Sequence, residues 1–264
     1  MSNYGIQGKL AIITGASSGI GFAIANSLAS EGVNLLLISR NEGKLNEAAE
    51  LINKSHNIEI KTLSGDVADK ELPSKAKKMV NDSWGCCDIL VNNAGGPPMG
   101  SFMTHSEDTW LEAYNTNFFS AVRFTKLFVD DMKGNKWGRI LNVTSSLAKE
   151  PTPQMVLSAS MRAALSSFTK AVSTELAPFG ITLNNICPGG VLTERLKNLV
   201  KESAKNQGIT YEEALKASQD SIPIGRFASP SEFADIATFM LSDKGRYLTG
   251  VSLMADGGLT KGIF

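Results

Sequence analysis

Short, nearly continuous apolar runs alternate along the chain with longer stretches in which apolar residues recur every three or four positions. The runs fall at 10–14, 33–39, 58–63, 89–92, 140–144, 183–186 and 251–254. They are strand-sized, β-branched or leucine-rich, and apolar on both sides, as expected where helices cover both faces of a parallel sheet. The helical stretches fall at 20–30, 44–52, 72–83, 108–132, 159–176 and 231–241. Such alternation builds through right-handed crossovers, so the predicted fold is a doubly wound α/β (Rossmann) domain. Punctuation supports the boundaries. Ser229-Pro230-Ser231-Glu232 has the form of a capping box with proline at the first helical position, and Pro178-Phe179-Gly180 ends the preceding long helix. No repeat, low-complexity tract or linker divides 1–264, which is predicted to be one domain. The departure is 193–220, polar, charged and predicted as two short helices inserted between the sixth and seventh strands. An insertion there is a candidate substrate lid; the alternative is a solvated surface excursion.

Composition narrows the function classes. The 264 residues are 42% hydrophobic and 20% charged, ordinary for a globular protein with one large core. Lys and Arg total 26, as do Asp and Glu, so nothing electrostatic favours nucleic acid or an anionic membrane. No apolar run approaches a membrane span, and 1–9 lacks the apolar centre of a signal peptide. Cys86, Cys87 and Cys187, with only His56 and His105, give neither a disulfide framework nor metal-ligand spacing. No metal is expected, and a reducing, cytoplasmic setting fits.

Thr14-Gly15-Ala16-Ser17-Ser18-Gly19-Ile20-Gly21 follows the first strand and opens the first helix. Glycines there let the backbone turn tightly and approach a pyrophosphate seated on the helix N-terminus. The spacing, Gly-x-x-x-Gly-x-Gly, differs from the general dinucleotide fingerprint. It resembles the loop of short-chain dehydrogenases/reductases. Asn92-Asn93-Ala94-Gly95 after the fourth strand, Pro188-Gly189 after the sixth and Asp256-Gly257-Gly258 near the end resemble that family's motifs in their order. The resemblance runs from about Gly8 to Gly258. It implies a seven-stranded parallel sheet of order 3-2-1-4-5-6-7, and association into a homodimer or homotetramer through the helices predicted at 108–132 and 159–176.

The cofactor is read at the end of the second strand. An acidic residue there would bind a ribose 2′-hydroxyl, but Ser39 and Arg40 stand in its place, a pair suited to a 2′-phosphate. NADP is therefore the expected cofactor; the alternative for Arg40 is a solvated charge at a strand end. By resemblance, Gly15, Ser17, Ser18, Gly19, Ile20 and Gly21 cradle the pyrophosphate, Asp66 and Val67 contact adenine, and Asn93, Ala94 and Gly95 line the cofactor cleft. Pro188, Gly189, Val191 and Thr193 would hold the nicotinamide carboxamide.

Carbonyl reduction needs a hydride and a positioned acid. In the family the acid is a tyrosine, its phenol lowered from about 10 by a lysine four residues later. An upstream serine and an asparagine complete the set. The asparagine is matched by Asn117. The serine is matched by Ser146, with Ser145 as the alternative. The Tyr-x-x-x-Lys pair is not matched. Aligned from Phe168-Thr169-Lys170, Ser158 falls on the tyrosine position and Arg162 on the lysine position, and Ser158 follows Ser146 at one residue less than the family spacing. Arg162 keeps the positive charge and can hold the nicotinamide ribose, but it cannot release a proton. Replacement donors within reach of the expected site are Ser146, Lys149, Glu150 and Ser158. Lys149 is the favoured acid, provided partial burial and the Arg162 charge lower its pKa. The alternative is that Lys149 and Glu150 form a solvated loop pair. The leading expectation is an NADP-dependent oxidoreductase acting on a small carbonyl or alcohol with a non-standard proton donor. Loss of the tyrosine and lysine supports a rival, a non-catalytic NADP-binding sensor or assembly protein. Non-redox lyase or isomerase chemistry is a third option.

Overall fold

The computed structural model describes residues 4–263. Seven strands form one parallel sheet: β1 (Leu10–Thr14), β2 (Asn34–Ser39), β3 (Ile60–Ser64), β4 (Ile89–Asn92), β5 (Gly138–Val143), β6 (Ile181–Pro188) and β7 (Ser252–Ala255). Their spatial order is β3-β2-β1-β4-β5-β6-β7, as the sequence predicts. Alternate residues of a strand point to opposite faces. Ala11, Ile13, Leu35 and Leu37 therefore pack on one side, under α1 (Gly19–Ser30), α2 (Glu42–Asn53) and α9 (Pro230–Met240). Leu10, Ile12, Leu36 and Ile38 pack on the other, under α3 (Leu72–Ser83), α5 (Ser120–Asn135) and α6 (Val156–Leu176).

Several boundaries move for identifiable reasons. Strand β5 starts at Gly138 because Arg139, polar by composition, is only 3% exposed. Its guanidinium bonds the carbonyls of Ser242, Gly138 and Gly180 and pairs with Asp243. Helix α2 starts at Glu42 because the Asn41 side chain accepts from the Lys44 amide. The helix predicted at 108–132 is three pieces: α4 (Glu107–Tyr114), a π-helical turn at Asn115–Phe119, and α5. A π turn adds a residue to the ladder and re-aims side chains, often at functional sites; here it carries Asn117. The predicted capping box at Ser229 and Glu232 forms.

Polar residues also lie inside the sheet. Asn92 donates to Asn142 Oδ1 (2.8 Å), Asn142 donates to Thr169 Oγ1 (2.9 Å) and Asn185 Oδ1 (3.3 Å), and Asn185 donates to Ser252 Oγ (3.0 Å). This ladder crosses β4, β5, β6 and β7 and satisfies buried amides that would otherwise be costly. The 193–220 insertion is α7 (Glu194–Gln207) and α8 (Tyr211–Asp220), a helical hairpin with its own small core of Val200, Ala204 and Ala214. Among the described residues no helix is long and apolar enough to cross a membrane, and no cluster of side chains could hold a metal ion.

Candidate active site

The C-terminal ends of β1, β4, β5 and β6 meet at one edge of the sheet, where ligands bind in open α/β folds. The glycine loop is locked there by Thr14 and Asn93. Thr14 Oγ1 accepts from the Asn93 amide (2.9 Å), and Asn93 Nδ2 donates to the carbonyls of Thr14 (3.3 Å) and Gly15 (3.2 Å). A Cβ on Gly15, at φ 61°, would lie 2.2 Å from Asn93 O, and one on Gly21 would lie 2.3 Å from Gly15 O. Only glycine fits either position. Ser18 caps α1 without a side-chain hydrogen bond, so its hydroxyl does not block the first-turn amides. Ser17, Gly19 and Ile20 are half-buried along the same turn, and Thr193 approaches Gly19 closely.

Ser39 and Arg40 differ in setting. Arg40 is exposed at the end of β2, whereas Ser39 is buried and its Oγ has no hydrogen-bond partner among the described residues. Asp66 is exposed, with Oδ1 accepting from the Ala68 amide (2.9 Å), and Val67 packs against the core.

Three side chains converge on the segment after β4. Arg162 Nη2 donates to Ala94 O (3.2 Å), Asn117 Nδ2 to Gly95 O (2.5 Å), and Arg195 Nη2 to Pro97 O (3.2 Å). Arg162 also donates from Nη1 to Val143 O (3.0 Å), which ties the ends of β4 and β5 together. It is 5% exposed, and its Nε has no hydrogen-bond partner among the described residues. Burial, with the nearby Arg195 charge, lowers its pKa to about 10, so it remains a cation at neutral pH. Arg162 was expected to hold a ribose; two of its N–H groups are already committed to backbone.

Ser145 Oγ accepts from the Leu147 amide (3.2 Å) and caps the turn Ser146–Ala148. That bond uses a lone pair of Ser145 and leaves its O–H free to donate, so Ser145 stays the alternative to Ser146. Ser146 and Ser158 are both buried, and neither hydroxyl hydrogen-bonds another described residue. Lys149 is exposed at the end of that turn, not partly buried as its assignment as acid required. Glu150 is engaged elsewhere: its Oε1 accepts from the Lys261 (2.5 Å) and Gly262 (2.8 Å) amides, fastening the C-terminal segment to this loop. Lys149 is thus solvated, as the alternative reading has it, whereas Glu150 is held by backbone amides. The tyrosines have other settings. Tyr114 packs on Phe118 and Phe119, Tyr4 lies under Lys244, Tyr211 packs in the α7–α8 core, and Tyr247 is 99% exposed.

At the end of the sixth strand Pro188 pairs with Ala255 of β7, Gly189 then lies against Asp256, and a Cβ on Gly190 would lie 2.2 Å from the Phe227 ring. Val191 and Ala228 form a parallel bridge through Leu192 N to Ala228 O (2.9 Å) and Ala228 N to Gly190 O (2.9 Å), bonds in which the Val191 amide takes no part. Thr193 Oγ1 accepts from the Leu196 amide (3.3 Å) and starts α7. Burial pushes the Cys187 thiol up, and it sits 3.0 Å from Thr144 Oγ1. Sequence reasoning missed Thr14, Arg195 and the Glu150 strap. Thr14 had a signal in its place before the glycine loop; the other two depend on distant segments.

This geometry has known counterparts. Residues 9–204 match the family described as short chain dehydrogenase. The chain belongs to the short-chain dehydrogenase/reductase family. It is 32% identical over 256 residues to the NADPH-dependent reductase BacG of Bacillus subtilis, covering 97% of this chain and 99% of BacG. It is 32% identical over 254 residues to the 3-oxoacyl-[acyl-carrier-protein] reductase FabG of Vibrio harveyi, covering 96% and 98%. L-sorbose reductase from Gluconobacter frateurii, solved with NADPH and L-sorbose, superimposes with a TM-score of 0.94 at 34% identity, covering 99% of this family member and 100% of the reductase chain.

Proposed function

We propose that this chain is an NADPH-dependent oxidoreductase that interconverts a small carbonyl compound and its alcohol, with a proton donor other than tyrosine. The observation that carries the reading is that Ser146 and Ser158, both buried residues, have hydroxyls that bond no other described residue, with Ser158 one helical turn before Arg162 on α6. The relatives support the cofactor: BacG is named as NADPH-dependent, and the sorbose reductase was solved with NADPH. The residues present fit that cofactor. Gly15, Gly19 and Gly21 leave a cradle that side chains would fill, and the orphaned Ser39 hydroxyl beside Arg40 offers a donor and a cation to a 2′-phosphate.

When bound, the cofactor supplies or accepts the hydride. Ser146 and Ser158 hold the substrate oxygen by hydrogen bonds that strengthen as it gains negative charge. Arg162 stabilises that charge electrostatically and offers its remaining N–H groups to the ribose. Lys149, though exposed rather than partly buried, is the proposed proton donor, and solvent returns the proton to it. Asn117 holds the Gly95 carbonyl and so the floor of the cleft. The α7–α8 hairpin covers the substrate as a lid. Subunits pair through α4, α5 and α6, where Leu111 (51%) and Tyr114 (38%) of α4 are exposed.

A second reading, a non-catalytic NADP-binding sensor or assembly protein, is favoured by one observation: Ser158 and Arg162 occupy the family's tyrosine and lysine positions. NADPH oxidation across a carbonyl panel separates the two. Lys149→Met is expected to lower turnover roughly 10²–10⁴-fold. A Lys149→Met enzyme as active as the wild type removes Lys149 as the acid. An inert wild type beside an active Ser158→Tyr/Arg162→Lys double variant supports the second reading. Light scattering at micromolar concentration tests the pairing, which a monomer refutes.

A further inference from the structure

Asp256-Gly257-Gly258 follows β7 and starts a segment that turns back toward the cleft. Asp256 is buried, with Oδ1 accepting from the Gly258 amide (3.0 Å) and Oδ2 from the Thr260 amide (2.9 Å), so 256–260 is a turn fixed by its own carboxylate. Its surroundings are the loop after β6 and the chain that follows α8. A Cβ on Gly189 would lie 2.8 Å from Asp256 Cβ, and the Gly257 carbonyl accepts from the Ile224 amide (3.2 Å).

Beyond Thr260 the segment has one anchor. The amides of Lys261 and Gly262 both donate to Glu150 Oε1, and no other hydrogen bond between described residues holds 261–263. Glu150 in turn belongs to the Ser146 turn, because its own amide donates to Ser146 O (3.0 Å). The loop that it starts is tied to the segment after β4 by Gly100 N to Gln154 O (2.9 Å). One carboxylate therefore joins a wall built on β5 to a wall built on β7. Two amides on one carboxylate oxygen are charge-assisted bonds. Lys261, Gly262 and Ile263 are exposed, so parting them from Glu150 uncovers little apolar surface. A closure held by few polar bonds opens without unfolding the elements that it joins.

We propose that Glu150 is a positioning residue: its carboxylate clasps the C-terminal segment to the Ser146 turn, closes the cleft between the loops after β5 and β6, and releases the segment to admit the substrate. The proposal rests on the oxidoreductase reading for what is admitted, but the closure is testable with NADPH alone.

Two measurements on the NADPH-saturated protein read the clasp. Trypsin cleaves after Lys261, at the peptide bond whose amide Glu150 holds, and mass spectrometry of the intact chain follows the loss of Gly262-Ile263-Phe264. Acrylamide quenching of the fluorescence of bound NADPH reports how freely a small solute reaches the nicotinamide. Wild type, Glu150→Gln, Glu150→Ala and a chain ending at Thr260 are compared. Glu150→Ala is expected to be cut at Lys261 at least about tenfold faster than wild type, the gain in opening that loss of hydrogen bonds to a charged group supplies. Its bound NADPH is quenched more strongly than in wild type, to the level of the chain ending at Thr260. Glu150→Gln, which keeps an acceptor oxygen, falls between. Cleavage as slow in Glu150→Ala as in wild type overturns the clasp. Faster cleavage with wild-type quenching overturns the closure, because the contact then only fastens the chain end. Should Glu150→Ala fail to fold, the chain ending at Thr260 decides: wild-type quenching there overturns the proposal, and stronger quenching supports it. If quenching rises as expected but no carbonyl compound is reduced, the closure stands and the oxidoreductase reading falls.

Discussion

Ser39→Ala should move two measurements in opposite directions. In the free protein Ser39 is 7% exposed and its Oγ has no hydrogen-bond partner. A buried hydroxyl left unsatisfied costs roughly 1–3 kcal/mol, so its removal leaves the cofactor-free fold unchanged or stabilises it by about 1 kcal/mol. If the same hydroxyl donates to the 2′-phosphate of NADPH as proposed, losing that hydrogen bond to a charged group costs roughly 1.5–3 kcal/mol, about 10- to 100-fold in Kd. Arg40 is exposed, so screening reduces its share; Arg40→Ala should cost about 1–2 kcal/mol toward NADPH, and less at high salt. NADH lacks the 2′-phosphate and should respond to neither change. Urea unfolding of the cofactor-free proteins, with calorimetric titration of both cofactors, reads all of these quantities. The reasoning fails if Ser39→Ala weakens the cofactor-free fold by more than about 1 kcal/mol, or if NADPH and NADH lose affinity equally.

Other substitutions probe the frame around the site. Asn142→Leu removes three hydrogen bonds of the buried ladder and leaves Asn92 Nδ2 only its bond to Thr125 Oγ1 among the described residues, so urea unfolding should show a loss of roughly 3–5 kcal/mol; a loss under 1 kcal/mol would mean that the ladder is not cooperative. Gly21→Ala places a methyl 2.3 Å from Gly15 O and 2.6 Å from Asn93 Nδ2, and the shift it forces should weaken NADPH binding by at least about 1–3 kcal/mol; wild-type affinity in a titration refutes the cradle. The Arg226 guanidinium and the Ser229 amide hold the Glu232 carboxyl down to about 2. Its folded pKa lies below the unfolded value of about 4.3, so its contribution is fully present above that value and is lost as pH falls toward 2. Glu232→Gln should therefore flatten the dependence of Tm on pH between about 4.5 and 2, and an unchanged slope there would falsify the assignment.

Local chemistry made much of this protein legible in its sequence. Strand periodicity, the glycine loop, the Ser229 capping box and the glycine stop at Gly180 depend on residues a few positions apart, and each forms, with several strand ends displaced by one or two residues. The glycine requirement at Gly15 and Gly21 is of the same kind, since backbone curvature and close packing demand it wherever the loop occurs. Long-range pairing decided the rest. Arg139 reads as polar yet sits in a central strand, because carbonyls and a carboxylate more than 40 residues away satisfy it. The π turn that carries Asn117 appears where its amide meets Gly95, which helical periodicity does not report. Glu150 looked available for proton transfer until the C-terminal segment returned to bind it, and Lys149 lies exposed because nothing folds over it. Arg162 and Arg195 stand 33 positions apart in sequence, and only the folded chain sets both against one four-residue segment, Ala94 to Pro97. A side chain's type is set by its codon, but its burial, its partners and the charge it sees are set by whichever segments the sheet and its crossovers bring against it.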